Sequence, residues 1–168
     1  MVEELRVKAR ELLKNKQVEM VIGYQRAPDG VSTAPCFIEN DLDADLLVWD
    51  AYCVYNLSNY LKDHPGRKTG IVAKYCDLRS IVVLVQENQL KRENLFIIEM
   101  ECQGVINEKR LKLGDTQDQE ISFAQKCKSC QPSNLSLSDY LIKDKGEKRK
   151  TPDDYDEYGP IRKMEVKA

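Results

Sequence analysis

Apolar residues recur along this chain with two different periods, and the switches between them divide it into elements. Val2, Leu5, Ala9, Leu12 and Leu13 fall on one face at helical spacing, which predicts an amphipathic helix over residues 2–15. Residues 18–24 then read as a strand, closed by the turn formers Ala27-Pro28-Asp29-Gly30. Residues 32–38 make the second strand of a hairpin-like arrangement. The acidic stretch over 39–45 reads as a turn into a short helix, its charge complementing the dipole of a first helical turn. A docking patch for a basic partner is the alternative reading of that run. Helical character returns over 51–62, with Tyr52, Tyr55, Leu57, Tyr60 and Leu61 as buried positions, until Asp63-His64-Pro65-Gly66 stops it.

The clearest unit comes next. Residues 70–74 form a short apolar strand, Asp77 stands where a helix N-cap would be, and Leu78, Ile81, Val82, Val85 and Gln89 mark a helical face. Residues 95–100 are the next strand, apolar enough to be parallel and covered on both faces. Parallel strands joined through a helix end on the same edge of their sheet. The expected fold is therefore an α/β domain of three layers with a mainly parallel, Rossmann-like sheet. Residues 107–120 are polar, with Gly114-Asp115 as a turn, and predict a surface loop. Residues 122–130 bring the chain back toward the strand ends, and 135–142 supply a short final element. From Lys143 onward charge and proline take over, and such a segment buries too little apolar surface to order itself. It reads as a solvated tail or as an arm wrapping a partner through Tyr155, Tyr158 and Ile161. The expected organisation is one domain over 1–142 and an extended or disordered tail over 143–168, without internal repeats.

With 168 residues, 42% of them hydrophobic, the chain is long enough to bury one real core. A net charge of −2 offers no global electrostatic case for nucleic acid or anionic membrane. No apolar run approaches the roughly 20 residues of a membrane helix. The start, Met1-Val2-Glu3-Glu4-Leu5-Arg6, is charged and amphipathic, unlike a signal peptide. A cytoplasmic location is expected, and there six cysteines do not imply a disulfide framework. Cys36 and Cys53 read as small buried hydrophobes. His64, the sole histidine, lies in an exposed-looking turn, which argues against a mechanism needing a histidine base.

The other four cysteines are arranged differently. Cys76 and Cys102 each follow a strand-like run, and Cys127 and Cys130 close a C-x-x-C, giving C-x25-C-x24-C-x2-C overall. Structural zinc usually takes two close pairs. One pair with two singletons at strand ends suits a site on a preformed α/β scaffold, and iron–sulfur clusters also take four thiolates. Spacing leaves a cluster, zinc and no metal all open. Cys76 precedes a helix, whose free N–H groups and dipole stabilise a thiolate. Lys74, Arg79, Lys126 and Lys128 flank the cysteines and would offset the charge of a thiolate-bound cluster, or are ordinary surface cations. Gly104 would let backbone approach the sulfurs closely.

Three stretches carry a resemblance, in order: Lys74-Tyr75-Cys76-Asp77-Leu78-Arg79-Ser80-Ile81, then Ile97-Ile98-Glu99-Met100-Glu101-Cys102-Gln103-Gly104-Val105, then Cys127-Lys128-Ser129-Cys130 with Ser138-Asp139-Tyr140-Leu141-Ile142. Val48-Trp49-Asp50 and the run over 53–61 add to it. Over roughly residues 17–142 the chain resembles the coenzyme F420 hydrogenase/dehydrogenase beta-subunit family, including its bacterial 4Fe–4S relatives. The resemblance implies anaerobic electron transfer in a complex with hydrogenase, formate dehydrogenase or heterodisulfide-reductase-like subunits. It also implies a 4Fe–4S cluster on Cys76, Cys102, Cys127 and Cys130, with FAD as a further cofactor in some members. Tyr75 and Glu99-Met100-Glu101 depart from the family's glycines, and bulk and negative charge there would lower a cluster's potential or alter the site. The family's ferredoxin segment, C-x2-C-x2-C-x3-C, is missing, so a partner subunit is expected to complete the electron path. Two other functions stand beside this one. A structural or assembly module with a four-cysteine zinc site or an empty one is the first. A flavin enzyme with its own substrate is the second, and no G-x-G-x-x-G supports it.

Overall fold

The computed structural model describes residues 1–107, 123–130 and 137–144. Helix α1 (Val2–Lys14) buries Leu5, Ala9, Leu12 and Leu13, the stripe its spacing predicts. Strands β1 (Met20–Arg26) and β2 (Thr33–Ile38) pair antiparallel, with Val21 opposite Ile38 and Arg26 opposite Thr33. Their turn is tied by Asp29, whose Oδ1 accepts the N–H groups of Val31 and Ser32, both at 2.9 Å. Strand β3 (Thr69–Ala73) lies parallel to β1, helix α2 (Tyr75–Gln86) follows, and β4 (Leu95–Met100) lies parallel to β3.

Strand β5 (Tyr140–Ile142) adds a parallel edge to β4, giving the order β2-β1-β3-β4-β5. Asp139 fixes that edge: its Oδ2 accepts the Ile97 N–H at 2.7 Å and its Oδ1 pairs with Arg92 at 2.7 Å. The sheet is mostly parallel and flanked by helices, a Rossmann-like three-layer α/β domain. Every residue of β3 is buried, and Ile71, Val72, Ile97 and Ile98 form the centre of the sheet. Each such side chain contributes about 1.5–3 kcal/mol of burial.

Three expectations change. The helix expected over 51–62 is a 3-10 turn over Leu57–Asp63 alone. Asn56 starts it by accepting the Ser58 N–H at 3.0 Å, and Asp50 ties the preceding loop by accepting the Tyr52 N–H at 2.8 Å. Leu57 and Leu61 are buried there, but Tyr52 and Tyr60 are half-buried and Tyr55 is exposed. Asp77 is not the N-cap of α2. Lys74 is, and Asp77, the third residue of the helix, accepts the Lys74 N–H at 2.9 Å. Helix α2 also ends before Gln89, and only Leu78 and Ile81 of its apolar face are buried fully. The acidic stretch does form a short 3-10 turn, Asp41–Leu46, capped by Asn40.

The expected surface loop lies, beyond Asn107, outside the described residues, as do the tail from residue 145 and its Tyr155, Tyr158 and Ile161. Among the described residues no helix is long and apolar enough to cross a membrane.

Candidate functional site

Strands β3 and β4 run side by side, with Ala73 opposite Glu99, and their C-terminal ends open on one edge. The chain leaves β3 through Lys74 into α2, of which Cys76 is the second residue. Cys102 stands two residues past the end of β4. Cys127 arrives on α3 (Gln125–Lys128), which the segment after Cys102 holds in place. Ile106 bridges Phe123, the Ala124 N–H donates to the Val105 carbonyl at 2.7 Å, and the Val105 N–H donates to Cys127 Sγ at 3.3 Å. The preceding N–H, of Gly104, donates to Cys102 Sγ at 3.4 Å.

Two consecutive backbone donors thus serve two of the four sulfurs, the kind of contact that thiolates bound to a cluster accept. Gly104 is required for this: its φ is +106, and a Cβ there would lie 2.9 Å from the Phe123 ring. Cys130 follows on the outer side, exposed, its N–H 3.4 Å from the Cys127 carbonyl. The donor chemistry fits a four-thiolate centre. The side chains are not gathered into one, because among the described residues no three His, Cys, Asp or Glu stand close enough to hold a metal ion.

Electrostatics describe thiols that keep their protons. Burial pushes Cys76 up to about 11, the neighbouring Asp77 adds to the rise, and the ammonium groups of Lys74 and Lys126 pull against it. Burial also raises Cys102, while the Gly104 N–H and Lys74 pull it down. Cys130 is raised, mainly by burial, with Arg79 opposing. A metal binding here must displace protons, so its affinity falls in acid.

Of the two readings open for Lys74, the structure removes the second. The residue is no surface cation: its side chain is 2% exposed and its partner Asp77 is fully buried. The ammonium pairs with Asp77 Oδ2 at 3.1 Å, donates to the Tyr55 carbonyl at 2.7 Å and to the Tyr24 hydroxyl, and lies 4.7 Å from the centre of the Tyr24 ring. The signal available was an aspartate three residues after a lysine that ends an apolar run. Of the other flanking cations, Arg79 is exposed and Lys126 donates to the Val54 carbonyl at 3.2 Å.

Cys36 and Cys53 are buried, as expected of small apolar residues. Burial raises Cys36 to about 11 and Cys53 to about 12. His64 is half-buried, its ring 5.5 Å from that of Phe37. Beside α3 lies an open hollow of about 290 Å³ lined by Val54, Tyr55, Val105, Ile106, Ala124 and Lys126. Its volume is at the lower end of ligand pockets, which span ~300–1,000 Å³.

Comparison with known proteins gives likenesses in sequence and in fold. The chain is 29% identical over 101 residues to the F420-dependent formate dehydrogenase subunit beta of Methanocaldococcus jannaschii, a match covering 57% of this chain and 26% of that protein. Its backbone is similar to that of a chain in the F420-reducing [NiFe] hydrogenase complex from Methanosarcina barkeri. That superposition has a TM-score of 0.54 and 13% identity, and covers 68% of this chain and 44% of the other. The latter likeness is one of fold. The chain spans about a quarter of the length of the formate dehydrogenase subunit. No family model matches it.

Proposed function

We propose that this chain is an electron-transfer subunit of a multi-subunit oxidoreductase and holds one 4Fe–4S cluster on Cys76, Cys102, Cys127 and Cys130. The observation that carries the reading is the pair of backbone donors, Gly104 and Val105, aimed at Cys102 and Cys127 beside the shared edge of β3 and β4. Similarity to a formate dehydrogenase beta subunit supports the kind of complex and the need for partner subunits. A bound cluster would supply one-electron chemistry. The chain's own residues would provide the rest: Cys76 in the first turn of α2 after β3, Cys102 just past β4, Cys127 and Cys130 on and beside α3, and N–H donors that favour anionic sulfur.

Anaerobic purification followed by iron and sulfide analysis tests this, with electron paramagnetic resonance of the reduced protein. Stoichiometric iron and sulfide are expected, and a colourless protein without iron overturns the reading. The exposure of Cys130 and the ungathered side chains favour a second reading, a structural module with a four-cysteine zinc site or an empty one. Stoichiometric zinc without absorbance near ~400 nm would establish the zinc form. Flavin released on boiling would add FAD as a second cofactor.

A further inference from the structure

Leu42 is the most exposed large apolar side chain among the described residues, at 73%, and Leu46 of the same 3-10 turn is 53% exposed. Val7 of α1, the helix against which that turn packs, is 58% exposed. A single exposed leucine is ordinary, but two on one turn with a valine beside them form a patch. A 3-10 turn has three residues per revolution, so residues three apart share a side. Ala44 and Leu47 fall on one side and are fully buried, which anchors the Asp41–Leu46 turn on the core. Each remaining side carries one leucine and one aspartate: Leu42 with Asp45, and Asp43 with Leu46. The backbone that presents them is fixed. Asn40 Oδ1 accepts the Leu42 N–H at 3.1 Å, Arg6 donates to the Leu47 carbonyl at 3.0 Å, and Arg10 pairs with Asp45 at 2.8 Å.

Charge identifies what would cover the patch. Arg67 answers Glu39 at 2.7 Å and Arg10 answers Asp45, but among the described residues no cation pairs with Asp41 or Asp43, the two neighbours of Leu42. The dipole of the turn accounts at most for these two aspartates in its first turn, and it says nothing of the leucines. We propose that the Asp41–Leu46 turn, with Val7 beside it, is a docking surface for a basic segment of a partner protein, one whose apolar stripe is flanked by lysine or arginine. The leucines supply the apolar contact, and Asp41 and Asp43 set its register through charge. A second copy of this chain fits poorly, because a two-fold contact here would set the aspartates against one another. The surface needs no metal and stands apart from the four cysteines.

The test uses the full chain and a fluorescein-labelled helical peptide of leucine and lysine, with the same peptide carrying glutamate for lysine as its control. Fluorescence anisotropy should show binding of the lysine peptide that weakens as salt rises, and far weaker binding of the glutamate peptide. Asp41→Asn combined with Asp43→Asn should weaken lysine-peptide binding about threefold to tenfold and flatten its salt dependence, as two exposed ion pairs allow. Leu42→Ser should weaken it about tenfold or more at every salt concentration. Glu93→Gln, at an exposed carboxylate on another part of the surface, should change nothing. With the lysine peptide bound, amide exchange should slow over residues 40–47 and the first turns of α1. Equal binding of the two peptides, indifference to the paired aspartate change or to Leu42→Ser, or protection of another face overturns the proposal. A peptide of residues 145–168 that occupies the turn more tightly than the lysine peptide also overturns it, since the occupant would then be the chain's own tail. Self-association that Leu42→Ser abolishes would assign the surface to a second copy and overturn it likewise.

Discussion

Cys76 and Cys102 stand where β3 and β4 end, on strands paired from Thr69 opposite Leu95 to Ala73 opposite Glu99, over a core in which Ile71, Val72, Ile97 and Ile98 are fully buried. Cys127 and Cys130 depend on α3, four residues long and without a buried side chain. A helix that short has no stability of its own. It is held by the Ile106–Phe123 bridge, the Ala124 and Val105 N–H donors, and Lys126 reaching the Val54 carbonyl. One half of the site is therefore as stable as the whole domain, and the other opens at the free energy of a few local bonds. If the proposed four-thiolate centre forms, the strand half would set where the metal sits and the α3 half how firmly it is held.

The sharpest way to break that comparison is to remove one sulfur at a time. Cys76→Ser and Cys102→Ser should abolish iron and the reduced-state paramagnetic signal while leaving circular dichroism unchanged. Cys130→Ser, at an exposed position, should leave part of both. If Cys130→Ser is as damaging as Cys76→Ser, the two halves are not unequal. If Cys36→Ser or Cys53→Ser removes the iron, the ligand set is wrong.

A core truncation marks the stability limit of the strand half. Ile98→Ala, at a fully buried position of β4, should lower unfolding free energy by about 2–5 kcal/mol, read from a urea midpoint. Both halves of the site should be lost together in that variant, because the strands that carry one also carry the segment that holds the other.

The same inequality explains what could be read from the residues alone. The strand–helix–strand unit was legible because Ile71-Val72 and Ile97-Ile98 are apolar runs too short for helices and are separated by a helical period. From parallel strands, the shared edge for Cys76 and Cys102 follows directly. The burial of Lys74 was only half legible: Asp77, three residues on, marked one partner, but lysine is almost never fully buried unless paired and its other partners, Tyr24 and Tyr55, are distant in sequence. The 51–62 stretch misled for a local reason. Its aromatic spacing imitates a helix, but Asp50 and Asn56 side chains compete for the backbone donors.

Gly104→Ala probes the joint between the halves. The left-handed backbone and the near contact with Phe123 oppose any side chain there, at about 1–3 kcal/mol. That strain should fall on α3 rather than on the sheet. Amide exchange over 123–130 should accelerate and iron content should drop, with the urea midpoint moving less than in Ile98→Ala. Equal loss of global stability would mean that α3 is part of the core after all.

The smallest effect separates thiols buried for packing from thiols at the site. Unfolded, Cys36 and Cys53 titrate near the ordinary 9.0, but burial holds them at about 11 and about 12 in the folded chain. Between those values the unfolded state has released protons that the folded state still holds. Stability of the metal-free protein is therefore full below about pH 9 and falls as pH rises toward 11–12. The slope per thiol is at most ~1.4 kcal/mol per pH unit. Urea midpoints measured against pH should show this decline, and Cys36→Ala with Cys53→Ala should flatten it. A decline that persists undiminished in the double variant would come from the other groups that burial raises, Tyr24, Cys76, Cys102 and Cys130, and would mean that the packing thiols do not limit alkaline stability.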